Sequence, residues 1–252
     1  MGVGMERCDG AETRRCPSVA RVMPLGDGCR RAVFKRREKR FLVLVELDGQ
    51  DVWVHTNNSG SMLGLLRPGR EVLISPAGNP KRKLPYTLEL VRIDGIWVGV
   101  NTLVPNRMLR YCFEGKLIPE MDGYTAFRAE ARVGQSRLDA LLDGPSGKLW
   151  IEAKNVTLVE EEVAYFPDAV TLRGQKHLRE LMSLAAQGIR VACLYLVQRE
   201  DARCFAPADF VDPVFADLVW KAEEAGVEMW PYLAVVSPEG IGMGKRLSLV
   251  KG

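Results

Sequence analysis

Asp139, Glu152 and Lys154 are the residues of this chain whose types and spacing could do chemistry together. They lie in Ser136-Arg137-Leu138-Asp139 and, past a short polar turn, in Lys148-Leu149-Trp150-Ile151-Glu152-Ala153-Lys154. The intervening Asp143-Gly144-Pro145-Ser146-Gly147 is a turn signal between two apolar runs, so a hairpin is expected. A hairpin symmetric about Pro145 and Ser146 sets Asp139 across from Glu152, and strand alternation puts Lys154 on the face of Glu152. Directly opposed carboxylates destabilise a sheet, so such a pair usually has a cation between them or a shared proton. The chemistry this equips is phosphodiester hydrolysis. Asp139 and Glu152 would ligate Mg2+ or Mn2+, hard cations that prefer oxygen donors, with the Ala153 carbonyl as a further candidate. Lys154 would orient or help deprotonate the attacking water.

A Glu-x-Lys triplet alone is a weak signal: Glu114-Gly115-Lys116 is a second one, in a chain with 27% charged residues. What sets Glu152 apart is an Asp thirteen residues upstream on the paired strand and a helix soon after. The alternative is a surface ion pair between Lys154 and a carboxylate, worth at most about 1 kcal/mol. Glu130 would complete a metal shell, or is an exposed acid within Arg128-Ala129-Glu130-Ala131-Arg132. Arg173-Gly174-Gln175-Lys176-His177-Leu178 opens the following helix. Helix N-termini favour phosphates, which makes Gln175 a candidate to hold the water or the scissile phosphate. His177 reads as a satisfied histidine on a helix flank or as a catalytic group, and Glu160-Glu161-Glu162 as a solvated loop.

Several elements must position these groups. Upstream, Phe41–Leu47, Val52–His55, Glu71–Ile74, Thr87–Val91 and Ile96–Val100 are five short apolar runs punctuated by Asp-Gly, Pro-Gly and Asn-Pro. That pattern indicates a small barrel or sandwich, and periodicity does not separate an oligonucleotide-binding (OB) barrel from an SH3-like one. Val104–Phe113 is expected as a short joining helix. From Thr125 the order becomes three strands, then a helix over about 171–187 that stops at Gly188. A buried strand over 189–197, a helix over 213–225 and a strand over 227–236 follow, which is the order of an α/β domain around a central sheet. The expected division is a poorly ordered leader at 1–22, with Met23 a candidate true start, a barrel over 23–102 and an α/β domain over 103–252 that includes the joining helix.

At 252 residues and 47% apolar content the chain has the makings of two modest globular domains. Its longest apolar run, Val191–Val197, is far too short to cross a bilayer, and the N-terminus lacks a signal peptide's apolar core, so a cytoplasmic protein is expected. Six scattered cysteines without a C-x-x-C pair, and two histidines, argue against a zinc site. Net charge is +3, but residues 1–40 hold eleven Lys or Arg against five acids, leaving the remainder near −3. A basic segment on a near-neutral body suggests a polyanionic partner, or a solvated tail. Lys35, Arg36, Arg37 and Arg40, with Lys81, Arg82 and Lys83, are the candidate phosphate contacts. Trp53 and Tyr86 would offer faces for stacking bases, or belong to the core. The loop Thr56–Met62 is dense in hydrogen-bonding groups and either binds phosphate or builds turns.

Several segments together resemble the sugar fermentation stimulation protein A family: Lys39-Arg40-Phe41-Leu42, Asn57 to Met62, Lys81-Arg82-Lys83, Val100-Asn101-Thr102-Leu103, Ser136 to Asp139, Ile151 to Lys154, and Tyr165 through Leu181. The likeness runs in order from about Met23 to Leu249. It implies a two-domain chain, with an N-terminal five-stranded OB-type β-barrel before an α/β domain with a central mixed sheet, similar to the PD-(D/E)xK nucleases. It also implies non-specific DNA binding, with RNA left open, and a regulatory role in sugar (maltose) metabolism. The nuclease pattern falls on Asp139 and Glu152-Ala153-Lys154, with Glu130 and Gln175 as weaker matches. Two functions follow as expectations. One is a Mg2+- or Mn2+-dependent nuclease, and the other a DNA-binding regulator whose nuclease-like domain does not cut. The regulator lacks a recognisable helix-turn-helix to read bases.

Overall fold

The computed structural model describes residues 22–79, 81–133 and 136–251. The leader assigned to 1–22 lies outside the described residues but for Val22. After β1 (Met23–Pro24) come β2 (Arg30–Glu38), β3 (Leu42–Leu47), β4 (Gln50–His55), β5 (Glu71–Pro76), β6 (Tyr86–Ile93) and β7 (Ile96–Gly99). The five strands β2 to β6 close into a barrel, β4 meeting β6 through His55 and Thr87, and β7 extends β6 outside the ring. The five runs expected from sequence became β3 to β7. The strand that completes the ring, β2, was missed because its basic residues hide the alternation of buried Ala32 and Phe34. Asp48-Gly49 and Asp94-Gly95 all have positive φ, the hairpin geometry that Asp-Gly favours.

The rest of the chain runs α1 (Val104–Gly115), β8 (Ala126–Val133), β9 (Ser136–Gly144), β10 (Gly147–Val156), β11 (Leu158–Glu160) and β12 (Val163–Phe166). Then follow α2 (Leu172–Ala185), β13 (Arg190–Val197), β14 (Cys204–Pro207), α3 (Pro213–Glu224), β15 (Glu228–Ser237), β16 (Gly240–Arg246) and β17 (Ser248–Leu249). A seven-stranded mixed sheet has the order β1-β16-β15-β13-β10-β9-β8, with β10, β13 and β15 parallel at its centre. Central β13 is buried along nearly its whole length, as a parallel strand covered on both faces must be. One face carries α2 and α3 and the other α1, each with its own apolar cluster. A second sheet, β11-β12-β14-β17, had no sequence forecast. Met23 and Pro24, read as the barrel's start, pair instead with Ile241 and Gly240 of β16.

The barrel is packed against the larger sheet. Leu73 and Leu90 from the barrel share a cluster with Val104, Met108 and Leu109 of α1 and with Trp230 of β15. The loop Thr56–Met62 builds turns and a junction: Asn58 donates to the Val100 carbonyl at 3.2 Å, and Met62 N–H donates to the Asp168 carboxylate at 2.9 Å. No helix among the described residues is long and apolar enough to cross a membrane.

Buried Asp212 joins the two helices beside the central sheet. Its carboxylate caps α3 through Phe215 N–H at 3.0 Å and takes Thr171 N–H, at the start of α2, at 2.9 Å. It also accepts from Gln175 Nε2 at 3.0 Å. Burial pushes its carboxyl up, but these donors outweigh burial and hold it below the usual aspartate range. The folded protein therefore binds this proton more weakly than the unfolded chain. The resulting stability is present above the unfolded pKa and is lost as pH falls through the depressed folded one. Asp212→Ala is expected to lower the unfolding free energy at pH 7 by about 2 kcal/mol, through the lost cap and a stranded Gln175. Urea titrations should show the deficit shrinking towards acid pH.

Candidate functional site

Strand β10 carries the site between antiparallel β9 and parallel β13. The hairpin pairs Gly147 with Gly144 and runs to Ile151 with Ala140, the register symmetric about Pro145 and Ser146. The next step would oppose Glu152 and Asp139, and there the ladder stops. Asp139's carboxylate takes over the bonding to β10: its Oδ2 accepts Ala153 N–H at 2.8 Å. Its Oδ1 accepts Asn106 Nδ2 of α1 at 2.6 Å. Glu152 and Lys154 share a face, with Lys154 Nζ donating to Glu152 Oε1 at 2.6 Å. The same oxygen is bonded by His177 Nδ1 from α2. Glu152 is 3% exposed, and its Oε2 is buried without a hydrogen-bond partner.

The two carboxyls are pushed in opposite directions. Burial raises the Asp139 pKa and the Glu152 charge raises it further, against the partial relief of Ala153 N–H, Lys154 and Asn106. Burial also pushes Glu152 up, but Lys154 and His177 outweigh it and hold that carboxyl below its ordinary value. Paired acids with divergent pKa values are a feature of working sites and of structural ion networks alike.

Asp139, Glu152 and Lys154 are thus brought together, while two other sequence candidates are not. Glu130 is exposed, 3.4 Å from Arg137. Its φ of 50° breaks the strand's alternation between the pairs Ala129–Ala140 and Ala131–Leu138. Gln175 is buried, with its amide nitrogen on Asp212. Two contributors were missed as partners of the paired acids. Nothing in the sequence ties Asn106, in the first turn of α1, to Asp139. His177 did carry a signal, since it falls on the buried stripe of α2 with Gly174, Leu178 and Leu181, where a polar ring needs a partner.

The donor chemistry suits a hard divalent cation. Asp139 lies near enough to Glu152 for the Glu152 charge to raise its pKa, and the unpartnered Oε2 is an oxygen that a cation would satisfy. No group of three or more His, Cys, Asp or Glu stands ready as a metal cage among the described residues, so water and phosphate would fill most positions. Magnesium tolerates such a site because it keeps several of its waters.

The candidate phosphate contacts divide sharply. Lys35 is ion-paired to Asp51 and Glu46, and Arg36 to Glu38. Arg36 also covers the face of Trp53, 5.4 Å from the ring centre. Arg37 binds the carbonyls of Arg40, Asn58 and Gly60, and Arg82 bonds the Thr87 hydroxyl at 3.1 Å. Arg40, Lys81 and Lys83 are exposed and make no side-chain hydrogen bond or ion pair among the described residues.

Residues 36–100 match the model of the SfsA N-terminal OB domain, and residues 103–240 that of the Sugar fermentation stimulation protein RE domain. This chain belongs to the sugar fermentation stimulation protein family. The family's homolog from Syntrophobacter fumaroxidans is 61% identical over 219 residues, covering 87% of this chain and 84% of that protein. The homolog from Maridesulfovibrio salexigens is 60% identical over 225 residues, covering 88% and 94%. Among solved structures, SfsA of Pyrococcus furiosus in complex with Ca2+ superposes with a TM-score of 0.85 at 29% identity, covering 90% of this chain and 98% of that one. The OB barrel and the mixed-sheet α/β domain are therefore the architecture of this SfsA-family chain.

Removing Lys154 leaves a buried anion short of a cation. Lys154→Met is expected to destabilise the protein by about 3 kcal/mol, whereas Glu152→Gln combined with Lys154→Met restores most of the loss. Chemical denaturation of the three proteins checks this, and an unchanged stability in the single variant would mean the pair is effectively solvated.

Proposed function

We propose that this protein binds DNA through its phosphates and hydrolyses phosphodiesters at a Mg2+ or Mn2+ site made by Asp139 and Glu152. The observation that carries this reading is the buried, unpartnered Oε2 of Glu152 beside a second carboxylate. A buried carboxylate oxygen without a donor is disfavoured unless something cationic completes it. The Ca2+ complex of the Pyrococcus relative supports the choice of a hard, oxygen-seeking ion.

When bound, the cation would stabilise charge on the phosphate and acidify a coordinated water. The chain's own groups do the rest. Asn106 and Ala153 N–H fix the Asp139 carboxylate. Lys154 orients the attacking water through Nζ and supplies positive charge beside the reacting phosphate. Burial of Glu152 keeps bulk water from competing. Arg40, Lys81 and Lys83 hold the strand by its backbone, which gives salt-sensitive binding indifferent to sequence and open to RNA as well as DNA.

A second reading has its own support: Lys154 and His177 both occupy Glu152 Oε1, as a purely structural ion cluster would. The protein would then be a DNA-binding regulator that does not cut. Labelled single- and double-stranded DNA incubated with Mg2+ or Mn2+ separates the two. Cleavage by the parent and none by Glu152→Ala, with binding kept or improved, is the expected result. Salt-sensitive binding without cleavage in either metal would favour the regulator. For the binding face, Lys81→Gln with Lys83→Gln is expected to reduce the slope of log affinity against log salt by about two, each phosphate contact contributing about 0.9. Lys35→Gln with Arg36→Gln should leave that slope unchanged.

A further inference from the structure

We infer that His177 is a positioning residue that keeps Glu152 Oε2 turned to the cation, acting through the proton on Nδ1. This rests on the metal-site reading above and adds the group that orients its buried ligand. Both donors to Glu152 fall on Oε1, so the carboxylate is pinned by one oxygen and presents the other. Of the two donors, Lys154 has a second task at the attacking water. Once its Nζ turns there, His177 alone holds Oε1.

The histidine is built for this. It is 4% exposed, and it comes from α2 rather than from the ligand's own strand. Arg173 Nε–H points at His177 Nε2 from 3.4 Å. An arginine only donates, so Nε2 is the accepting nitrogen and Nδ1 the one that carries the proton. That is the tautomer that donates to Glu152. The helix itself is fixed at its start, where Thr171 Oγ1 accepts Gly174 N–H at 3.1 Å and Asp212 takes Thr171 N–H at 2.9 Å. Donors behind a metal ligand set its orientation, and their loss typically weakens metal binding about 10- to 100-fold.

The test is Mn2+ binding to the purified full chain, followed by calorimetry or by the EPR signal of free Mn2+, with no nucleic acid present. His177→Asn places an amide N–H where Nδ1 stood, His177→Gln places one where Nε2 stood, and His177→Phe keeps the ring's shape without a donor. The parent and His177→Asn should bind within about threefold of each other, while His177→Gln and His177→Phe lose about 10- to 100-fold. Thermal melts without metal establish that each variant is folded. A structural role alone predicts affinity that follows thermal stability whichever nitrogen is replaced, so equal affinities, or an equal loss in all three, would overturn the inference. Failure of the parent to bind Mn2+ would instead overturn the metal site itself, and this inference with it.

Discussion

An ionised carboxylate at 3% exposure is the constraint around which this molecule is organised. Burying a lone charge costs several kcal/mol even after relaxation, so Glu152 requires cations and donors from its surroundings. Lys154 comes from the same strand face and His177 from α2, and α2 is tied to α3 by Asp212. Across the strand, Asp139 is fixed by Asn106 of α1. The apolar side of α1 packs against Leu73 and Leu90 of the barrel, so the two domains are joined through the helix that holds one of the paired acids. The site is thus supported from both faces of the central sheet and from the neighbouring domain.

The same surroundings push the two acids in opposite directions. Glu152 is held ionised by Lys154 and by its hydrogen bond with His177, whereas Asp139 sits where burial and the Glu152 charge favour its proton. A divalent ion held by both would remove that conflict by replacing like-charge repulsion with shared attraction. Buried side-chain oxygens usually have at least one hydrogen-bond partner, and Oε2 of Glu152 has none, a lack it shares among the described residues with Oε2 of Glu180. What sets Glu152 apart is the second carboxylate, Asp139, whose proton affinity its charge raises.

Local rules made much of the fold legible. The turn between Asp143 and Gly147 set the hairpin register, and Asp-Gly pairs marked the tight hairpins of the barrel. Helical spacing found α1, α2 and α3 to within a few residues. What stayed hidden depends on distant partners. Strand β2 reads as a basic tail until Glu46, Asp51 and Glu71 are seen facing its lysine and arginines from neighbouring strands. Charge counting therefore overstated the unpaired positive charge: Lys35, Arg36 and Arg37 are occupied, while Arg40, Lys81 and Lys83 make no side-chain hydrogen bond or ion pair among the described residues. Strand β1 pairs with β16, more than two hundred residues away, which no local pattern encodes. Asp139, Glu152 and Lys154 were visible through their spacing. Asn106 was not, because it lies on a helix whose docking is decided by tertiary packing, and for His177 the helical stripe indicated burial but not its partner.

Whether Glu152 Oε2 faces a cation is open to direct measurement. Crystals grown with Mn2+ and measured on either side of its absorption edge would locate the ion by its anomalous signal. The expected result is a peak about 2.2 Å from Glu152 Oε2 and bonded to Asp139, with Oε1 still held by His177. A saturated crystal with no peak there, or with Oε2 turned onto a protein donor, would contradict it.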